Sequence, residues 1–274
     1  MNAPDQEGAG SWQPYDENAS HELVLDPEVL AAELAQELLG DPLDEIEPEA
    51  SGSADAAAEC DLGLTLLAGG HEQRLQGLRI FCEHRDPRAI PLLLPLLEAP
   101  CPIERMSAVY ALGRNPSPMA VEPLLALLAA DSNGYVRKAV AWSLANFADA
   151  PVLNPLIRSL QVDVAAVRLW AATSLADVGA TGAAKADPAA AQLMQSLRID
   201  SEAAVRSNSA WALGRLYPDL VEPRQQAVVQ ALVHTLLDDQ EASVRDEARL
   251  ALEQLEQPEV LERLQTLVDE GLLS

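Results

Sequence analysis

The sequence predicts an all-α solenoid of about six stacked helical hairpins behind a disordered, acidic N-terminal extension. Three observations carry this reading. An arginine-anchored motif returns along most of the chain. Its fullest copy is Val205-Arg206, with small residues at +3 and +6 (Ser209, Ala212), Leu213 at +7 and Gly214 at +8. Further copies are centred on Arg105, Arg137, Arg168 and Arg245, with a fainter one on Arg74, so the anchors lie 31, 32, 31, 38 and 39 residues apart. A period of that size marks an array of stacked units. Each anchor segment is also followed by a leucine-rich run with proline near its start, and no stretch alternates as a strand would. Finally, alanine and leucine dominate and aromatic residues make up only 4% of the chain, which suits helices in close mutual contact.

Taken in order, residues 1–22 are polar, and residues 1–62 hold 17 Asp and Glu without a single Lys or Arg. Such a segment cannot bury enough apolar surface to offset the entropy of ordering, so disorder is expected. Residues 23–40 read as an amphipathic helix. Asp26 is placed as N-cap and Pro27 at the first helical position; Val29, Leu30, Leu34, Leu38 and Leu39 form the stripe, and Gly40 stops it. It serves either as a cap on the stack or as a tethered partner-binding helix. An acidic linker follows over 41–55, and the solenoid occupies 56–274. A helix is expected over 56–68, ended by Gly69-Gly70. The anchor copies then supply first helices of about three turns. Second helices are expected around 89–97, 120–128, 151–160, 189–197, 227–237 and 259–268, and longer loops at 179–188 and 217–224 account for the two wide spacings.

A helix turns by about 100° per residue. Counting from the arginine, positions −1, +3, +6 and +7 therefore share one face, which is Val136, Val140, Ser143 and Leu144 in one copy and Val205, Ser209, Ala212 and Leu213 in another. Small residues there allow the paired helix to come close. The arginine sits at the edge of that face. An aspartate lies five or six positions before it in four copies (Asp131, Asp163, Asp200, Asp239). The pair is expected to link turn to helix, or one repeat to the next, for structural reasons.

This pattern, Asp-x₄-Val-Arg-x₂-Ala-x₂-Ala-Leu-Gly followed by a Pro-Leu-Leu-x-Leu-Leu helix, resembles HEAT repeats. More closely, it resembles the HEAT-like repeats of E/F-type phycobilin lyase subunits, over roughly 71–270 and best at 103–113, 135–145, 167–176 and 205–214. The resemblance implies a HEAT-like α-solenoid that works with a phycobiliprotein subunit or a second lyase subunit in attaching, transferring or removing a linear tetrapyrrole. Many HEAT-like proteins have no link to pigment, among them adaptors for iron–sulfur cluster assembly factors, so a non-pigment protein adaptor stands as the alternative.

The most informative feature outside the core face is an aromatic row. Position +5 is Tyr110, Trp142 and Trp211 in three copies, and position +9 is Arg114, Asn146 and Arg215; Trp170 stands at +2, about 60° away. Stacking aligns these into a stripe. Such residues anchor protein interfaces, and flat rings with arginine also suit a bilin's rings and propionates. Alternatively, the rings wedge between repeats.

Other classes are disfavoured. Of the 43 acids and 18 bases behind a net charge of −25, residues 63–274 hold 26 and all 18, with no basic cluster to meet a nucleic acid. Cys60, Cys82 and Cys101 form no C-x-x-C pair and suit reduced thiols in a cytoplasmic setting. The start of the chain lacks the basic and apolar regions of a signal peptide, and no apolar run is long enough for membrane insertion. His71, Cys82 and His84 match no standard zinc spacing, His234 stands alone, and no catalytic motif is present.

Overall fold

The computed structural model describes residues 54–273, and every regular element among them is helical. The expectations for 1–53, including the helix over 23–40, lie outside the described residues. Helix α1 (Ala54–Leu67) takes in the last two residues of the expected linker and precedes six hairpins. These are α2 (His71–Glu83) with α3 (Ile90–Leu93), α4 (Pro102–Arg114) with α5 (Pro118–Ala130), α6 (Gly134–Ser143) with α7 (Leu153–Val162), α8 (Ala165–Gly179) with α9 (Ala183–Ile199), α10 (Ala203–Leu216) with α11 (Glu222–Asp238), and α12 (Ala242–Gln254) with α13 (Pro258–Asp269). The even-numbered helices pack each on the next in one continuous layer from α2 to α12; odd-numbered helices form a second layer, in which α5, α7, α9 and α11 pack in succession.

The face deduced from the helical period is the buried one. At −1, Val136, Val167, Val205 and Val244 are fully buried, as are Leu112, Leu144, Leu175, Leu213 and Leu252 at +7. The small residues at +3 and +6, such as Ala108, Ala111, Ala171, Ser209 and Ala212, are buried between them. A Cβ on Gly214 would lie 3.2 Å from Ala251 Cβ, a measure of how near α10 runs to α12. Ser174 on α8 donates 2.7 Å to the Ala141 carbonyl of α6, spending its hydroxyl across the same seam.

The arginines and aspartates form a ladder along the edge of this layer. Arg105 forks onto Asp131 (2.7 and 2.9 Å), Arg137 onto Asp163, Arg168 onto Asp200 and Arg206 onto Asp239, each aspartate belonging to the next hairpin. With another nitrogen each arginine donates to a carbonyl in the turn before its own helix: Ala99, Asp131, Asp163 and Asp200, respectively. Both expected linkages are thus made by one side chain. The aspartates also accept from backbone N–H groups just ahead of, or at the start of, the following helix, as Asp131 does from Asn133 and Asp239 from Glu241. At the first rung the sequence has Ala99-Pro100 where an aspartate would stand. There Glu104, 2% exposed at the −1 position that is valine in the four following copies, reaches back to Arg74 at 2.7 Å and His71 at 3.1 Å. At the last rung Arg245 donates to the carbonyls of Asp239 and Gln240.

Two expectations are corrected. The second helix around 89–97 is broken into a 3₁₀ turn (Pro87–Ala89), the single turn α3 and another 3₁₀ segment (Leu94–Glu98), because Pro91 and Pro95 each remove a helical donor and crowd the preceding turn. The wide anchor spacings also do not come from loops. α9 and α11 have 17 residues each, against 10 in α7, so the extra chain lengthens the second-layer helices. Pro188 lies inside α9 in its second turn.

The Arg74 guanidinium holds the Glu104 carboxyl below its ordinary value, and Arg206 does the same for Asp239. Burial pushes Asp131 up, but Arg105 and the Asn133 amide outweigh it and leave it lowered. Carboxyls depressed in the folded chain stabilise it fully above the unfolded value of about 4 and cease to do so as pH falls through the folded values. Acid titration of unfolding free energy is therefore expected to fall below about pH 4, and Asp239→Asn to be less stable at pH 7 with a shallower fall. Asp163→Ala, which strands the part-buried Arg137, is expected to cost about 1–3 kcal/mol in urea unfolding, less than a fully buried pair would.

Candidate functional site

The stripe at +5 and +9 lies on the even-numbered helices, and the structure divides it into two clusters. In the first, the Trp142 ring of α6 meets Tyr110 of α4 edge-on, centroids 5.3 Å apart at 66°. The Arg114 guanidinium stands over the same indole at 5.7 Å. Gly113 makes this possible: a Cβ there would fall 2.8 Å from Trp142 Cζ3 and 2.9 Å from Ser143 Cβ. The indole thus wedges onto the neighbouring helix and still remains partly exposed, as Tyr110 does. Of the two expectations for the row, the contacts of Trp142 show the wedge between repeats, and part of the ring stays exposed.

The second cluster joins Trp170 of α8 and Trp211 of α10 in one groove of about 580 Å³ that runs on to α12. Asn208 lines it and ties α10 to α8, its Nδ2 donating to the Leu169 carbonyl at 2.9 Å and to Thr173 Oγ1 at 2.5 Å. Small side chains at Ala204 and Ser243 leave room between the larger ones, and Glu247 of α12 closes the lining. Arg215 stands one turn beyond Trp211, 5.6 Å over its ring, and pairs with Asp177 of α8 at 2.8 Å. Asn146 joins neither cluster. α6 gives way to a 3₁₀ turn (Leu144–Phe147), which carries Asn146 to the surface with its amide 3.4 Å from the Ser143 carbonyl.

Sequence reasoning missed Asn208 and Glu247. A signal for them existed, since both occupy position +2 of their copies, the column that holds Trp170. Electrostatically, Glu247 is the one charged residue in the groove lining, and burial raises its carboxyl above the ordinary range. Among the described residues no cation or hydrogen-bond donor is paired with it.

The histidines and cysteines considered for metal chemistry are spent elsewhere. His84 Nε2 lies 2.6 Å from Glu59, and His71 lies against Glu104. Cys82 is buried, its thiol pushed up to about 12 by desolvation, with Sγ 3.8 Å from the Ser107 carbonyl. Among the described residues no group of three or more His, Cys, Asp or Glu is placed to hold a metal ion, and no helix is long and apolar enough to cross a membrane. What the site offers is contact: aromatic planes, amide and hydroxyl groups and one carboxylate.

Helix propensity alone would favour Gly113→Ala by about 1 kcal/mol. The overlap with the Trp142 ring should reverse the sign. A loss of about 1–2 kcal/mol in urea unfolding is expected, together with a change in tryptophan emission.

Comparison with known proteins bears on the fold. The sequence profile of the family described as HEAT repeats matches residues 72–145, 121–214, 164–253 and 190–271. Among solved structures, Kap121p bound to Ste12p aligns with a TM-score of 0.58 at 15% identity, over 73% of this chain and 23% of that one. The complex of CpcE and CpcF of phycocyanin lyase from Nostoc sp. PCC7120 is 26% identical over 61% of this chain and 99% of that one, with a TM-score of 0.49. A designed armadillo repeat protein, YIII(Dq)4CqI, is 21% identical over 78% of this chain and 100% of that one, with a TM-score of 0.48. The search of curated proteins found no match. With its profile matched from 72 to 271 over a two-layered stack of helical hairpins, the chain belongs to the HEAT-repeat family.

Proposed function

We propose that this chain is a protein-interaction scaffold that seats a protein partner on the face formed by its even-numbered helices. The observation that carries this reading is the pair of partly exposed aromatic clusters, Tyr110–Trp142–Arg114 and Trp170–Trp211, set side by side along one layer. Tryptophan, tyrosine and arginine dominate interface energetics when they can be desolvated by a partner. The scaffold acts by holding that partner and has no reaction of its own in this reading.

The partner's identity is supported by the repeat motif. Its resemblance to E/F-type phycobilin lyase subunits favours a phycobiliprotein subunit or a second lyase subunit, and so a part in bilin attachment, phycobiliprotein assembly or turnover. A non-pigment partner such as an iron–sulfur cluster assembly factor is the alternative. The Trp170–Trp211 groove favours protein over a free linear tetrapyrrole, because its lining holds a carboxylate and no cation to receive propionates.

The test is a binding titration of the full chain against a purified phycobiliprotein subunit and, separately, an iron–sulfur scaffold protein. Removing both groove rings (Trp170→Ala with Trp211→Ala) is expected to weaken binding of the true partner by about 30-fold or more. Each half-buried ring should cost folding only about 1–2 kcal/mol, below the 3–5 of a fully buried one. Binding that survives in the folded double variant, and again when Tyr110→Ala and Trp142→Ala are added, would contradict the reading.

A further inference from the structure

The lining of the Trp170–Trp211 groove holds one carboxylate, Glu247, with no counter-charge from the fold among the described residues. Elsewhere in the even-numbered layer the part-buried carboxylates have arginines: Asp131, Asp163, Asp200 and Asp239 on the ladder, and Asp177 with Arg215. Glu247 is only partly exposed, and among the described residues nothing is paired with it. A carboxylate partly withdrawn from water and without a protein donor is less well solvated than one in bulk water, and burial displaces its titration upward, with no cation pulling it back. The same lining holds two indoles, Trp170 and Trp211, whose ring faces attract cations and do so more strongly as water is excluded. Thr173, Ser207 and Asn208 add neutral groups able to hydrogen-bond to the lining. Arg215 stands 5.6 Å over the Trp211 ring, but it is held by Asp177 and does not line the groove.

Resting on the docking reading above, we infer that this groove receives a lysine or arginine side chain of the partner, its cation lying against Trp170 and Trp211 and its charge met by Glu247. The groove volume of about 580 Å³ admits a long aliphatic stem with the charged head at its end, the shape these side chains present. A partner side chain ending in a carboxylate would meet Glu247 with like charge and leave the indoles unused. The chain's net charge of −25 raises the encounter rate with a basic segment at low salt. That long-range attraction is nearly independent of any one residue, whereas the local contact is not, and the experiment exploits this difference.

The full chain would be titrated at 0.15 M salt, near physiological strength, with three capped octapeptides that alternate alanine with lysine, glutamine or glutamate. Tryptophan emission and calorimetry would give the affinities. Binding of the lysine peptide, with the glutamate peptide inert and the glutamine peptide much weaker, is expected. Glu247→Gln should weaken the lysine peptide about tenfold, equivalent to 1.4 kcal/mol, while Glu253→Gln, also on α12 but outside the groove lining, changes it little. Melting of Glu247→Gln at or above that of the parent would separate recognition from folding, since removing an unpaired carboxylate relieves a cost. Failure of the lysine peptide to bind, or equal affinity in Glu247→Gln and the parent, would overturn the inference. If the glutamine peptide bound as well as the lysine peptide and lost affinity in Trp170→Ala, the groove would remain a docking site and only its cation preference would fall.

Discussion

Register between successive hairpins rests on one repeated interaction, the arginine fork between a carbonyl of its own turn and the aspartate of the next hairpin. Burial of apolar surface supplies most of the free energy that holds the layers together, but it has no direction. A bidentate guanidinium–carboxylate pair has direction, since its parallel N–H···O bonds fit only one offset. Four such pairs in sequence, with Glu104 improvising a fifth, leave the even-numbered helices no freedom to slide past each other. Such pairs are poor sources of net stability because desolvation consumes much of their attraction. Fixing an offset is the use that suits them.

The exposed face inherits this order. Side chains at +2 and +5 point away from the buried seam, and an offset common to every rung brings equivalent columns into line. Trp170, Asn208 and Glu247 are 38 and 39 residues apart in sequence but line one groove because each stands two residues past a ladder arginine. Close approach matters as much as alignment. Gly113 lets the Trp142 ring lie on α4, and the buried alanines and serines keep the helices near enough for one indole to touch two of them.

Much of this was legible in the sequence. The period of the anchors, the small residues at +3 and +6 and the leucine at +7 define a helix face, and that face is the buried one. Local chemistry also placed the arginine near its own turn. Harder to read was which aspartate each arginine takes, since the choice between the turn behind and the hairpin ahead depends on how the units stack. The first rung shows the limit: Glu104 occupies a core column, and only its proximity to Arg74 in space explains why a charge is buried there. The alanine-rich run after Gly182 looked like loop because its apolar period is weak, yet it forms α9, where packing on α8 and α10 overrides the signal. The groove itself was half-visible. Tryptophans are conspicuous in a chain with 4% aromatics, whereas Asn208 and Glu247 are common residue types whose importance lies in their neighbours.

The account stands on the claim that the ladder couples one hairpin to the next. A double-mutant cycle on Arg168 and Asp200, whose pair joins α8 to the turn before α10 at 2.7 Å, measures that coupling without assuming the worth of either residue alone. Arg168→Met, Asp200→Leu and the double variant would be unfolded in urea. A coupling of about 1.5–3 kcal/mol is expected, the range of charge-assisted hydrogen bonds; a value within about 0.5 kcal/mol of zero, the scatter of independent sites, would contradict it.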